Sequence, residues 1–322
     1  MKVSVLITTY NQEDFITQAL NSVLGQEVNF DCEIVIGEDA STDRTREIIL
    51  ELQQRHPDKM RVYLRDAIDS ERDRALGVGG KTNFVKGLHA CQGQYVALLD
   101  GDDYWTAPDK LQKQVEFMDA QPECAICFHN VEVFHENQSG EPRNMCPADQ
   151  KRFSTLEDLI NGIAIPTCSI MFRRGLVERL PQWFHEIKMG DWALNILIAQ
   201  SGNAGYLGDV MAAYRVHESG EWSRLSRIQR VQETITFFEQ MDRHMGFQYH
   251  RLFKRALSKS YLDLALEYDK AGEPGRARQC ALRCISLRPL SKDISSSLLL
   301  KIVTRLYAPT VYRNLKSLLY GA

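Results

Sequence analysis

Three carboxylates, Asp100, Asp102 and Asp103, surround one glycine where the apolar run Tyr95-Val-Ala-Leu-Leu ends. Clustered like charges repel and raise one another's pKa, so a buried strand that ends in them needs a cation or ligand to offset the charge. Hard divalent ions such as Mg2+ and Mn2+ bind carboxylate oxygens and keep coordination positions open for phosphates. Asp-x-Asp at a strand end therefore points to a metal that holds a nucleoside diphosphate. An isolated Asp-Gly-Asp-Asp is more often a plain turn, because Asp caps local backbone and glycine accepts positive φ. The neighbouring elements decide between these readings.

Strand and helix patterns alternate through the first 120 residues. Residues 3–8 form a short β-rich run, and residues 12–24 carry Phe15, Ala19 and Val23 at spacing four, one helical face. Residues 33–37 are nearly all apolar, as in a parallel strand covered on both faces. Ser41 or Thr42 caps the next helix, whose Ile48, Ile49 and Leu52 turn inward before Pro57 ends it. A third strand is expected over 60–64, then a polar loop, a helix over 83–91, a fourth strand over 95–99 and a helix opened by Pro108. This order predicts a mostly parallel α/β sheet with right-handed crossovers, whose ligands bind beyond the carboxyl ends of the strands.

Those ends are polar. Strand one runs into Thr8-Thr9-Tyr10-Asn11, strand two into Glu38-Asp39-Ala40-Ser41-Thr42-Asp43, and the fourth into Asp100-Gly101-Asp102-Asp103. Three independent turns do not explain such convergence on one sheet edge, and the three motifs in this order resemble glycosyltransferase family 2, with its GT-A nucleotide-sugar-binding, Rossmann-like fold. The resemblance covers roughly residues 1 to 120 and continues more weakly to about His217. It implies a metal-dependent, inverting, non-processive transfer of a sugar from a nucleoside diphosphate sugar, UDP being the commonest donor type, to an acceptor hydroxyl.

The resemblance also assigns roles. Asp39 would contact the nucleotide base, where a carboxylate accepts from ring N–H donors. Thr9, Tyr10 and Asn11 would line base and ribose. Asp100 would lie near ribose and metal, Asp102 would be the direct ligand for Mg2+ or Mn2+, and Asp103 would face the acceptor or orient its neighbours. Lys81 and Asn83 match positions near the nucleotide and phosphates, although Lys81 reads equally well as a solvated loop lysine. Asp191, in Met189-Gly190-Asp191-Trp192, matches the general base, with Gly190 in place of the usual glutamate. It reads also as a helix N-cap, and Trp192 as acceptor platform or core. Tyr214-Arg215-Val216-His217 resembles the family's Tyr-Arg-x-His segment. His217 there reaches the metal or diphosphate, and Arg215 is a phosphate contact or a scaffold ion pair. Glu221, Trp222 and Ser223 follow as a candidate lid.

Composition sets the remaining limits. The 322 residues allow one large or two small domains, and 44% apolar with 25% charged residues is ordinary for a globular protein. A net charge of -3 gives no electrostatic case for nucleic acid. Eight scattered cysteines read as reduced core residues, including the lone Cys-x-x-Cys at Cys124 and Cys127. The chain shows no secretion signal and no membrane span, so a cytoplasmic catalytic domain is expected over 1–225, divided near 120 into nucleotide and acceptor halves. Residues 226–322 read as helical. Residues 260–289 resemble one tetratricopeptide-type hairpin, a partner surface. Residues 294–322 form a basic amphipathic tail with Lys301, Arg305, Arg313 and Lys316, suited either to peripheral contact with an anionic membrane or to packing on the protein. Membrane docking would fit a lipid-linked saccharide as acceptor in cell-surface polysaccharide or glycan assembly.

Competing activities lack their marks. A nucleotidylyltransferase needs a glycine-rich basic loop after strand one, and a processive synthase needs membrane spans and Gln-x-x-Arg-Trp. A non-catalytic nucleotide-sugar-binding or scaffold protein would have no need of Asp39, Asp102 and Asp191.

Overall fold

A computed structural model describes residues 1–76, 79–136, 141–163, 165–218, 220, 222, 224–287 and 303–308. The chain divides into two compact units, residues 1–159 with 163–217, and residues 160–162 with 218–322.

Up to Val216 the chain begins with β1 (Val3–Thr9), α1 (Ile16–Leu24), β2 (Cys32–Glu38), α2 (Thr45–Arg55), β3 (Met60–Leu64), α3 (Ala67–Ala75), α4 (Lys81–Ala90) and β4 (Tyr95–Asp100). Next come β5 (Tyr104–Trp105), α5 (Lys110–Ala120), β6 (Cys124–His135), β7 (Arg143–Asn144), β8 (Phe153–Ser154) and α6 (Leu156–Ile160). β9 (Met171–Arg173), α7 (Gly190–Ala199) and β10 (Asn203–Val216) complete it. The sheet order is β3-β2-β1-β4-β9-β6-β10-β5. β1 pairs in parallel with β2 and β4, β2 with β3, and β6 with β10. β9 runs against both β4 and β6. The short strands β5, β7 and β8 also pair antiparallel, with β10, β6 and β10. The sheet is therefore mixed: its long ladders are parallel, as the alternation predicts, and its short strands run against them.

The core follows from the apolar runs. Val3, Val5, Ile7, Ile34, Ile36, Ala97 and Leu99 are fully or almost fully buried, because helices cover both faces of the sheet. Ile16, Ala19, Leu20 and Val23 bury the expected face of α1. That helix begins four residues later than periodicity predicts, because the preceding backbone is bound elsewhere: the N–H groups of Gln12 and Glu13 donate to Thr45 Oγ1 (2.7 Å) and Asp43 Oδ2 (3.1 Å). A second difference is α3, which occupies part of the expected polar loop. Asp66 caps it, accepting from the Ile68 N–H at 2.8 Å, and its inward residues are the polar Ser70 and Asp73.

The second unit contains α8 (Arg227–His244), α9 (His250–Lys270) and α10 (Pro274–Leu287). Ser226 and Gln229 form a reciprocal capping box that starts α8. α9 and α10 are joined through Gly272, whose φ of 75° is left-handed. Leu264, Ala265, Tyr268, Ala277, Ala281 and Cys284 are buried, and Ser258 Oγ donates to the Cys284 carbonyl at 2.9 Å. These two helices occupy the segment that resembles a tetratricopeptide hairpin; Pro289 lies outside the described residues. Of the basic tail, residues 303–308 are described. Leu306 is buried, Arg305 pairs with Asp269 at 3.0 Å, and Arg278 Nε donates to the Leu306 carbonyl at 2.9 Å, so this short stretch packs on the helices. Lys301, Arg313 and Lys316 lie outside the described residues, as do Glu221 and Ser223 of the candidate lid. Among the described residues no helix is long and apolar enough to cross a membrane. All eight cysteines are free thiols, and Cys124 and Cys127 are buried in β6.

Candidate active site

Strand order reverses beside β1, whose neighbours β2 and β4 lead away in opposite directions, and the crevice beyond such a reversal is where open α/β sheets bind ligands. Register places Thr8 opposite both Gly37 and Asp100, and Thr9 opposite Glu38. The three sequence motifs therefore meet at one edge. The Asp39 N–H donates to the Thr9 carbonyl at 3.0 Å, and the Gly101 N–H to the Thr8 carbonyl at 3.1 Å. Thr8 Oγ1 donates to Asp100 Oδ1 at 3.1 Å. Gly101 is closely surrounded: a Cβ there would stand 2.4 Å from Gln12 Oε1 and 2.9 Å from Thr9 Oγ1, so those side chains would have to shift.

The first two loops hold each other. Asn11 and Ala40 adopt left-handed φ values of 51° and 57°. Asn11 accepts the Thr42 N–H at 2.8 Å through Oδ1, and its own N–H donates to Ser41 Oγ at 3.0 Å. Buried Glu38 accepts from Arg46 Nε and from the Ser41 N–H, both at 2.6 Å. Asn11 and Glu38 thus shape the loops around Asp39.

Asp39 is itself buried. Its Oδ1 accepts from Arg65 Nη1 (2.6 Å) and Ser70 Oγ (2.7 Å), while Arg74 Nη1 lies 3.6 Å from Oδ2. Arg65 also binds Asp73 at 2.8 Å. Bonds from Thr82 and Arg65 hold the Asp73 carboxyl below its ordinary range against the opposing effect of burial. The Arg74 guanidinium stacks 4.1 Å from the centroid of the partly exposed Tyr10 ring. Sequence reasoning missed Arg65, Ser70, Asp73 and Arg74; the signal available was the Asp66 cap followed by polar residues at spacing three.

On the other flank, the end of β10 is stitched to the acidic turn. His217 Nε2 lies 3.0 Å from Asp102 Oδ2, and its ring packs 4.9 Å from that of Phe15. The Arg215 N–H donates to Asp103 Oδ1 and its Nε to the Asp102 carbonyl, each at 2.8 Å. Arg215 also pairs with Glu136, binds Gln18 at 2.6 Å and lies against Phe15 and Phe134. Of the two roles expected for Arg215, its contacts are those of a scaffold. Asp103 is 2% exposed, and burial with the charges of Asp102 and Asp100 pushes its carboxyl well above the usual range. Its accepted bond from Arg215 ties the acidic turn to the end of β10. Asn83, also 2% exposed, donates to the Gly37 carbonyl at 2.7 Å and so ties the start of α4 to β2.

Asp191 lies in the first turn of α7 and is exposed. Desolvation raises its carboxyl pKa, opposed by the Trp192 N–H, the charge of Lys81 and its own N–H. Trp192 Nε1 donates to the Leu159 carbonyl at 3.0 Å, anchoring the helix start. Lys81 is the first residue of α4, and its Nζ donates to the Lys188 carbonyl at 3.0 Å.

Asp102 and His217 are the groups here whose chemistry would suit a divalent cation. A carboxylate oxygen and an imidazole nitrogen lie 3.0 Å apart, and with Nε2 unprotonated both are donors that Mg2+ or Mn2+ accepts. Among the described residues no cluster of three His, Cys, Asp or Glu is placed to hold a metal. A cation completed by phosphate oxygens and water can be held by one or two protein carboxylates.

Comparison with known proteins agrees with this arrangement. The chain is 36% identical over 221 residues to the uncharacterized protein Rv1520 of Mycobacterium tuberculosis, an alignment covering 68% of this chain and 60% of that protein. It thus spans about 60% of that relative's length. TuaG of Bacillus subtilis, named as a teichuronic acid biosynthesis glycosyltransferase, is 37% identical over 140 residues, 44% of this chain and 50% of that protein. The mannosyltransferase PcManGT of Pyrobaculum calidifontis, solved with GDP-Man and Mn2+, shares the fold with a TM-score of 0.59 and 20% identity, covering 100% of this chain and 88% of that one. Residues 4–180 match the profile of glycosyl transferase family 2, and the chain belongs to that family.

Proposed function

We propose that this protein transfers a sugar, with inversion, from a nucleoside diphosphate sugar to an acceptor hydroxyl, aided by Mg2+ or Mn2+, in assembling a cell-surface polysaccharide. The observation that carries the reading is the meeting of Asp102 and His217 beside Asp100 at the strand-order reversal, with Asp39 among the loops of that edge. The activity named for TuaG supports the product class, and the ligands of PcManGT support the donor and metal classes.

In this reading Asp39, held by Arg65 and Ser70, accepts from the base, and Tyr10 offers a stacking surface. Thr9 and the backbone of Asn11 line the ribose. Asp100 and Asp102 face the diphosphate side. The bound cation would neutralise charge on the departing diphosphate. Asp191 takes the proton of the acceptor hydroxyl as that oxygen bonds to the anomeric carbon and the bond to the diphosphate breaks; the raised carboxyl pKa makes it a stronger base. The acceptor is a saccharide or lipid-linked saccharide, and the donor a UDP-sugar.

A thermal-shift screen of UDP- and GDP-sugars, with and without Mn2+, tests the reading. A donor that stabilises the protein only with Mn2+, and is then consumed on addition of saccharide acceptors, is the expected result. Binding without consumption, across both free and lipid-linked acceptors, would leave a nucleotide-sugar-binding protein instead.

A further inference from the structure

We propose that Lys81 is a positioning residue for Asp191: lying across Gly190, it fixes the first turn of α7 and holds a positive charge beside the carboxylate. The proposal rests on Asp191 as the general base and adds a residue that sets its state.

Three observations carry it. First, a Cβ built on Gly190 would stand 2.9 Å from Lys81 Cε and 3.2 Å from Nζ, so the lysine stem fills the space over the glycine. Second, Lys81 Nζ donates at 3.0 Å to the carbonyl of Lys188, just ahead of α7, tying the approach to that helix. Third, the root of Lys81 is fixed. Two residues on, Asn83 donates to the Gly37 carbonyl at 2.7 Å. One helical turn thus grips β2 and the approach to α7 through Asn83 and Lys81.

Charge gives this contact a chemical consequence. Lys81, reaching over from α4, is a charged side chain that acts on the Asp191 carboxyl; α7 itself supplies the N–H groups of Asp191 and Trp192. Burial favours the neutral acid and Lys81 favours the carboxylate. A base must be ionised to accept a proton, so the lysine extends the active range toward lower pH. The space beside Gly190 is where the end of the lysine lies.

The test is the titration midpoint of the Asp191 carboxyl, read by carbon NMR on the full-length chain labelled at aspartate and assigned with Asp191→Asn. Lys81→Met should move the midpoint to higher pH, and Lys81→Arg should restore it toward the parent. Unchanged thermal unfolding in Lys81→Arg guards against a folding artefact. A midpoint unmoved in Lys81→Met overturns the proposal. So does an unmoved midpoint joined to a large loss of UDP affinity in Mn2+, which would make Lys81 a phosphate contact. Failure of the underlying reading appears separately, as sugar transfer that survives in Asp191→Asn.

Discussion

His217 Nε2 stands 3.0 Å from Asp102 Oδ2, joining the end of β10 to the turn after β4 across 115 positions of sequence. In the proposed reading the two act together: a single carboxylate binds a divalent cation weakly, and the imidazole would add a nitrogen ligand at the same point. Asp102→Ala is expected to lower kcat by roughly 10²–10³-fold, the range for losing one group that stabilises developing charge. Calorimetry should show UDP binding weakened in Mn2+, with parent and variant alike without metal. His217→Ala should act in the same direction.

Asp191 should separate chemistry from donor binding. Asp191→Ala is expected to reduce kcat by about 10²–10⁴-fold, the usual contribution of a general base, with donor affinity preserved. Because burial raises the folded carboxyl pKa, the acidic limb of the rate profile should lie above the ordinary carboxylate range. Activity falls as pH drops through that limb, where the base becomes protonated. A stopped assay of nucleoside diphosphate release across pH checks both points.

Arg65 and Arg74 both reach Asp39 but should fail differently. Arg65 is 6% exposed and bridges Asp39 and Asp73, so Arg65→Met leaves two buried carboxylates without their shared cation. Breaking a buried pair typically costs about 3–5 kcal/mol, and urea denaturation should show a loss of that order. Arg74, more exposed and stacked on Tyr10, should cost little stability when changed to Met and should alter nucleotide affinity instead.

Lys110 is fully buried, with Nζ 2.8 Å from Gln114 Oε1 and 3.7 Å from the centre of the Trp105 ring. Desolvation pulls its pKa from 10.5 down to about 7. The folded state therefore prefers the neutral amine, while the unfolded chain takes up a proton below 10.5. Stability should be greatest at high pH and decline as pH falls toward 7, by on the order of 4 kcal/mol from linkage. Lys110→Met should abolish that slope and be the more stable protein near pH 7, measured by urea denaturation at pH 7 and 10.

The sheet was legible because its strands are continuous apolar runs with polar ends, a pattern that only burial on both faces produces. The acidic turn was legible because three such ends fall on one edge. Directions of side chains were not: Asp103, Asn83 and Arg215 have the right types near the site, yet each turns into protein bonds of its own. Helix α3 was illegible for a related reason. Its inward face is Ser70 and Asp73, which satisfy Asp39 and Arg65, and a polar face serving a buried charge looks in sequence like a solvated loop. The contact of Lys81 with Gly190 joins distant positions, and glycine ahead of the predicted base was its one visible sign.

The short strand β9 is hydrogen-bonded to β4 on one side and β6 on the other. The nucleotide-side strands and the strands that follow them are thereby one continuous backbone ladder. Closing around substrate by a hinge between the two halves would tear that ladder, so any gating of the crevice falls to its loops, and substrate preference can drift by loop replacement while the sheet stays fixed.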